Sequence, residues 1–263
     1  MTDTLLAETH GPILVLTLNK PHKLNALDAG MLAAMAERLR AADADEAIAA
    51  IVLRGEGRAF STGFDMTGGG AAGDASARLR ANLESFLAVW RARKPVVAAV
   101  DGYALGAGCI LANLCDFIFA SERSVFGEPE IRYWNPASIT ILPWIVGVRR
   151  ARQLLFYGKN LDARTARDWG MVTEVLPEAG FFEAVLAAVR PLTHLHPDSA
   201  AALKRSINDG QEIAGFLDAL HAGLERIAPL YQPGAPSREA YRAEVEKRGF
   251  KEYIRHRDSL LRN

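Results

Sequence analysis

Hydrophobic and polar positions alternate between two regimes along the first two thirds of the chain. Ile13 to Leu18 (ILVLTL) is an unbroken apolar and β-branched run of strand length. Asp28 then stands where a helix N-cap is wanted, ahead of Met31, Ala34, Met35 and Leu39 at helical spacing. Ala50 to Leu53 predicts a second strand, closed by Gly55-Glu56-Gly57. Leu79, Leu83, Phe86, Leu87 and Trp90 recur at i, i+4, i+7, i+8 and i+11, the mark of an amphipathic helix. Pro95 opens a strand over Val96 to Val100; a short apolar helix around Gly108 to Leu114 and a strand over Phe117 to Ala120 follow. The alternation predicts an α/β core whose strands are joined by crossover helices. Ser61 to Ser76 (STGFDMTGGGAAGDAS) has no periodicity and predicts a loop. Beyond about residue 185 strand signals stop. Pro197 and Asp198 start a helix expected to reach about Asn208, with Gly210 past its end, and a long helix from about Glu212 to Tyr231 is expected next. The expected organisation is a strand-containing core over 1–190 and an all-helical region over 191–263.

Composition narrows the function. The 263 residues carry 31 Lys+Arg against 31 Asp+Glu, a net charge of zero. Nucleic-acid and membrane-surface proteins need a basic excess, so both are disfavoured. No segment reaches the ~18 consecutive apolar residues of a membrane span, and Met1 to Leu6 lacks the basic-then-apolar pattern of a secretion signal. Cys109 and Cys115 lie roughly 9 Å apart along the axis if the segment between them is helical, too far for a disulfide. A reducing, cytoplasmic setting is expected.

Familiar chemical signatures are missing. Gly102, Gly106 and Gly108 are spaced GxxxGxG, which is not the dinucleotide fingerprint GxGxxG. There is no GxSxG, HExxH or CxxC, and the six histidines are scattered, so no metal is expected. What the chain does carry is one local plan used twice: strand, glycine-containing turn, then a segment able to begin a helix. Ile51–Leu53 leads into Ala59-Phe60-Ser61-Thr62-Gly63-Phe64-Asp65, and Val96–Val100 leads into Gly102-Tyr103-Ala104-Leu105-Gly106-Ala107-Gly108. Such turns leave backbone N–H groups unpaired, and two of them aimed at one point would hold an oxyanion. Taken alone, each reads first as a tight strand–helix turn.

The ordered set AFSTGFDM, DGYALGAGCILANLCD and FGEPEIR resembles the enoyl-CoA hydratase/isomerase (crotonase) superfamily. The likeness continues through Leu161-Asp162-Ala163 to Trp169-Gly170-Met171-Val172, and His22 to Leu27 (HKLNAL) is similar to that family's coenzyme A-binding stretch. The resemblance implies a spiral of ββα turns, C-terminal helices that mediate a homotrimer or a dimer of trimers, and a coenzyme A thioester as substrate without a bound cofactor. It implies that Phe64 and Ala107 N–H groups stabilise a thioester enolate and that Glu130 moves protons. Lys23, Asn25, Ala26, Gly63, Gly106 and Gly108 are the implied substrate contacts. The chain departs from the hydratase pattern at Ile110, where the first of two glutamates is expected, and at Arg132 to Ser138, which lacks a glycine-rich stretch. Hydration, double-bond isomerisation, thioester hydrolysis, decarboxylation and non-catalytic coenzyme A binding all stay open at this level. Asp65 and Asp116 read as structural carboxylates, and Tyr133 and Trp134 as either pocket or core aromatics.

Overall fold

The computed structural model describes residues 3–65 and 74–261; the expected loop over Ser61 to Ser76 falls largely outside them. Strand β1 (Leu5–His10) pairs antiparallel with β2 (Ile13–Leu18), whose Leu16 and Leu18 are fully buried. Helix α1 (Ala29–Ala44) follows, with Asp28 capping it by accepting from Met31 N–H at 2.8 Å. Then come β3 (Ala50–Gly55), β4 (Ala59–Ser61) and α2 (Ala75–Arg91); β5 (Val96–Val100), β6 (Tyr103–Leu105) and α3 (Ala107–Asn113); and β7 (Phe117–Ser121) with β8 (Val125–Gly127). Each of these repeats sends a long strand into one sheet and a three-residue strand into another.

The larger sheet has the order β1-β2-β3-β5-β7-β10, where β10 is Glu174–Leu176, and all its pairings except β1·β2 are parallel. Apolar runs without alternation, such as VVAAV, are what a sheet covered on both faces requires. One face packs on α1, α2 and α3 through Leu16, Leu39, Leu53, Phe86 and Leu111. The other is covered by α7 (Phe181–Val189), with Phe181, Val185 and Val189 against Val15, Val52 and Val97. The smaller sheet, in the order β4-β6-β8-β9 with β9 at Leu161–Asp162, crosses the ends of the repeats and gathers their turns. The sequence pattern reads β4 and β6 as parts of turns. Three residues are too few to show a period, and only stacking across repeats makes them strands.

Helices α4 (Leu142–Val146), α5 (Val148–Tyr157) and α6 (Ala163–Asp168) precede β10. Strands end at Leu176, and α8 (Pro197–Ile213), α9 (Phe216–Ile227), α10 (Pro236–Arg248) and α11 (Phe250–Leu261) complete the described chain. The expected stop at Gly210 is corrected: α8 runs through it, and Gly215, at φ +92, separates α8 from α9. An added Cβ at Gly210 meets nothing within 4 Å, so that glycine makes no demand on the backbone. Helix α8 docks through polar side chains. Lys204 Nζ lies 2.7 Å from Asp116 Oδ2, whose carboxylate also accepts from Val96 N–H at 2.7 Å, and Asn208 donates to Trp90 O at 2.9 Å. Cys109 and Cys115 are both free.

Candidate active site

The loop before α1 and the turn after β4 are zipped together. Thr62 N–H donates to Leu24 O at 3.1 Å, Leu27 N–H to Gly63 O at 2.8 Å and Asp65 N–H to Leu27 O at 2.8 Å. The last two make a parallel bridge between Leu27 and Phe64. The amide of a residue bridged in this way points away from the partner strand. Among the described residues the Phe64 N–H accordingly has no acceptor. Sequence pattern suggests a helix start at this turn; a β-bridge aims the amide instead.

Ions lock the same joint. Lys20 Nζ lies 2.8 Å from Asp28 Oδ2 and 2.9 Å from Asp65 Oδ2, and Lys23 Nζ lies 3.0 Å from that Asp65 oxygen. Burial works against the Lys20 charge, but bonds to both carboxylates outweigh it and hold its pKa above the ordinary lysine value. Leu24 and Asn25 both adopt left-handed backbone, φ +52 and +55. Asn25 is wholly buried; it accepts from Lys20 N–H and donates to Glu56 O and Ala59 O. Its carboxamide is thus spent inside the fold rather than offered to a ligand. Lys23 is exposed and Ala26 partly so.

The second amide comes from α3. Gly106 takes φ +54 and ψ −128, a conformation that suits glycine alone, and turns the chain from β6 into the helix. Ala107 opens α3, so its N–H has no partner within the helix, and none occurs elsewhere among the described residues. A Cβ built on Gly63 would lie 3.3 Å from Ala107 N, so the turn that carries Phe64 abuts the start of α3. At Gly108 an added Cβ would lie 2.4 Å from Ser61 O, so glycine there lets α3 close onto β4.

Glu130 reaches Gly106 from the 3₁₀ turn Pro129–Tyr133 after β8. A Cβ on Gly106 would lie 2.5 Å from its Oε1, and its Oε2 is sealed without a hydrogen-bond partner. Burial pushes the Glu130 carboxyl up to about 7, although its own backbone N–H favours the charged form. Arg132, two residues on, pairs with Asp258 at 3.0 Å. Tyr133 packs edge-on against Tyr241, and the Arg257 guanidinium sits 5.8 Å from the Trp134 ring centroid, so both aromatics meet the C-terminal helices.

A family model for enoyl-CoA hydratase/isomerase matches residues 8–251. The chain belongs to the enoyl-CoA hydratase/isomerase family. It is 33% identical over 270 residues to a probable enoyl-CoA hydratase of Rhizobium meliloti (strain 1021), covering 99% of this chain and 98% of that protein. It is 32% identical over 242 residues to 2,3-dehydroadipyl-CoA hydratase of Escherichia coli (strain K12), covering 86% and 88%. A solved enoyl-CoA hydratase/isomerase from Xanthobacter autotrophicus Py2 superposes with a TM-score of 0.89 at 32% identity and covers 98% of each chain. The expected crotonase-like α/β fold is therefore present.

Within this enoyl-CoA hydratase/isomerase fold, Phe64, Ala107, Gly63, Gly106 and Glu130 converge, while Lys23 and Ala26 lie on the loop zipped to the Phe64 turn. Ile110 is wholly buried in the core. Sequence reasoning missed Lys20 and Glu128. A lysine next to Pro21 gives no sign that two aspartates 8 and 45 positions away will bury it. Glu128 reads as a surface acid beside Glu130, yet it is 1% exposed.

Proposed function

We propose that the protein processes a coenzyme A thioester by way of an enolate, in reactions of the enoyl-CoA hydratase/isomerase type. The observation that carries this reading is the pair of unpartnered amides, Phe64 and Ala107, beside the Glu130 carboxyl. A thioester carbonyl oxygen seated between the two N–H groups becomes negative as the Glu130 carboxylate removes a proton from the adjacent carbon. The C–H electron pair moves into the carbonyl, and fixed donors stabilise that charge without reorganising. Returning the proton two carbons further along shifts a double bond, which one carboxylate accomplishes alone. A base with a pKa near 7 suits that exchange at neutral pH.

Lys23, on the same loop as Ala26, serves the phosphates of the coenzyme A moiety, Gly63 and Gly106 keep the surroundings of the amides free of side chains, and Gly108 lets α3 close onto β4 behind them. No metal or other cofactor takes part. The hydratase names of the Rhizobium and Escherichia relatives support a coenzyme A ester as substrate. Three chains, or six as a dimer of trimers, form the working assembly through the region over 191–263; large apolar side chains exposed on α8 support this. Free Cys109 and Cys115 agree with a reducing, cytoplasmic setting.

Glu130→Gln tests the chemistry. Turnover of 2-enoyl and 3-enoyl thioesters is expected to fall by about 10²–10⁴, with acyl-CoA binding nearly intact because the amides are backbone. Undiminished turnover removes Glu130 from the reaction. Release of free thiol from saturated thioesters would instead favour a hydrolase of the same fold.

A further inference from the structure

Glu128 is the only Asp or Glu among the described residues that is buried outright, and neither of its carboxyl oxygens has a hydrogen-bond partner. Glu130 Oε2, two residues on, is likewise sealed and unpartnered. Two carboxylates two residues apart on one turn repel each other if both are charged in so enclosed a place; one proton between them relieves the repulsion and gives one oxygen of each a partner. We propose that Glu128 is a positioning residue of the site, one that remains protonated and donates that proton in a hydrogen bond to the Glu130 carboxylate. The proposal rests on the enolate reading of Glu130.

Among the described residues no cation is paired with either carboxyl; Arg78 and Arg238 act on the neighbouring Tyr231 instead. Glu130 shares the segment of Glu128, the Cys109 thiol faces Glu128 from α3, and the Tyr231 hydroxyl feels both carboxylates while donating to Pro136 O at 2.6 Å. Burial first, and the Glu130 charge second, push the Glu128 carboxyl well above the ordinary glutamate range. During turnover Glu130 takes a proton from the substrate carbon and gives it back at another, while Glu128 keeps its own. The pair therefore never exceeds one negative charge, and the shared proton holds Glu130 aimed and partly ionised.

The test compares Glu128→Gln with Glu128→Leu in the full-length protein. The amide retains a donor, so Glu128→Gln is expected to lose only a few-fold in kcat/KM, whereas Glu128→Leu loses about tenfold or more. The acid limb of the kcat/KM profile is expected to move upward in Glu128→Leu alone. Infrared spectra at about pH 9, where Glu130 is ionised, should show a protonated-carboxyl band in the parent protein that Glu128→Gln abolishes, a signature that needs no turnover. A missing band, or pH profiles in both variants identical to the parent's, would overturn the proposal. If Glu130→Gln is inactive while Glu128 variants behave as the parent, only the pairing fails; if Glu130→Gln is fully active, the enolate reading fails with it.

Discussion

Glu130 connects acidity to catalysis and to stability through one number. Its carboxyl titrates near 7 in the fold, raised from an ordinary value of 4.5 because burial penalises the charge. Activity should therefore rise with pH through about 7, and a kcat/KM profile flat from pH 5 to 8 would contradict a Glu130 base. The stability sign runs the other way. A group whose folded pKa is raised contributes fully below its unfolded pKa and loses that contribution as pH climbs through the folded one. Glu130→Gln should accordingly be more stable than the parent above pH 7, by up to about 3 kcal/mol, and the gap should close below about pH 4.5. Urea denaturation at pH 4.5 and 8 measures both ends. Gly106 presses on the same carboxyl. Gly106→Ala would place Cβ 2.5 Å from Glu130 Oε1 on a backbone at φ +54, so it is expected to cost about 1–3 kcal/mol in strain and to displace the base. A variant with parental melting temperature and turnover would show that this crowding is relieved harmlessly.

Between elements, cohesion depends on buried lysines that the hydrophobic pattern does not mark. Lys204 is 9% exposed and supplies the cation for Asp116, whose pKa is nevertheless raised by its burial. Lys204→Met would leave that carboxylate unpaired against α2 and β5, at a cost of about 3 kcal/mol. Loss of stability without loss of specific activity per folded molecule is the expected outcome in thermal melts and assays. Why the pattern reads some elements and not others follows from length. Val96–Val100 is five buried residues in a row, and the stripe from Leu79 to Trp90 spans three turns, so each declares itself. Strands β4, β6 and β8 contain three residues apiece and owe their pairing to the neighbouring repeat. The two amide-bearing turns were visible through their glycines, but the bridge from Leu27 that orients Phe64 is a contact across 37 positions that no local pattern encodes.

Across the whole molecule, the C-terminal helices brace the segment that carries Glu130. Tyr253 of α11, 1% exposed, donates its hydroxyl to Arg132 O at 2.7 Å, Arg132 pairs with Asp258 of the same helix at 3.0 Å, and Tyr241 of α10 stacks edge-on between Tyr133 and Tyr253. Residues more than 100 positions apart thus hold one 3₁₀ turn. The outer side of α8 is different: Leu203 is 65% and Ile207 59% exposed, one helical turn apart. If three copies meet there, sedimentation should give a mass near three or six times 28.6 kDa, and Leu203→Asp with Ile207→Asp should shift it toward one. A parental mass in that double variant would move the assembly contact elsewhere. The brace makes its own, sharper prediction. Tyr253→Phe keeps the ring and removes only the hydroxyl, leaving the Arg132 carbonyl without that donor, a loss of about 1–2 kcal/mol. Because Arg132 is two residues from Glu130 and far along the chain from Phe64 and Ala107, kcat should fall several-fold while acyl-CoA binding holds. A Tyr253→Phe protein that loses stability but keeps its full kcat would mean that Glu130 is positioned by β8 and Gly106 alone, with the C-terminal helices serving only the fold.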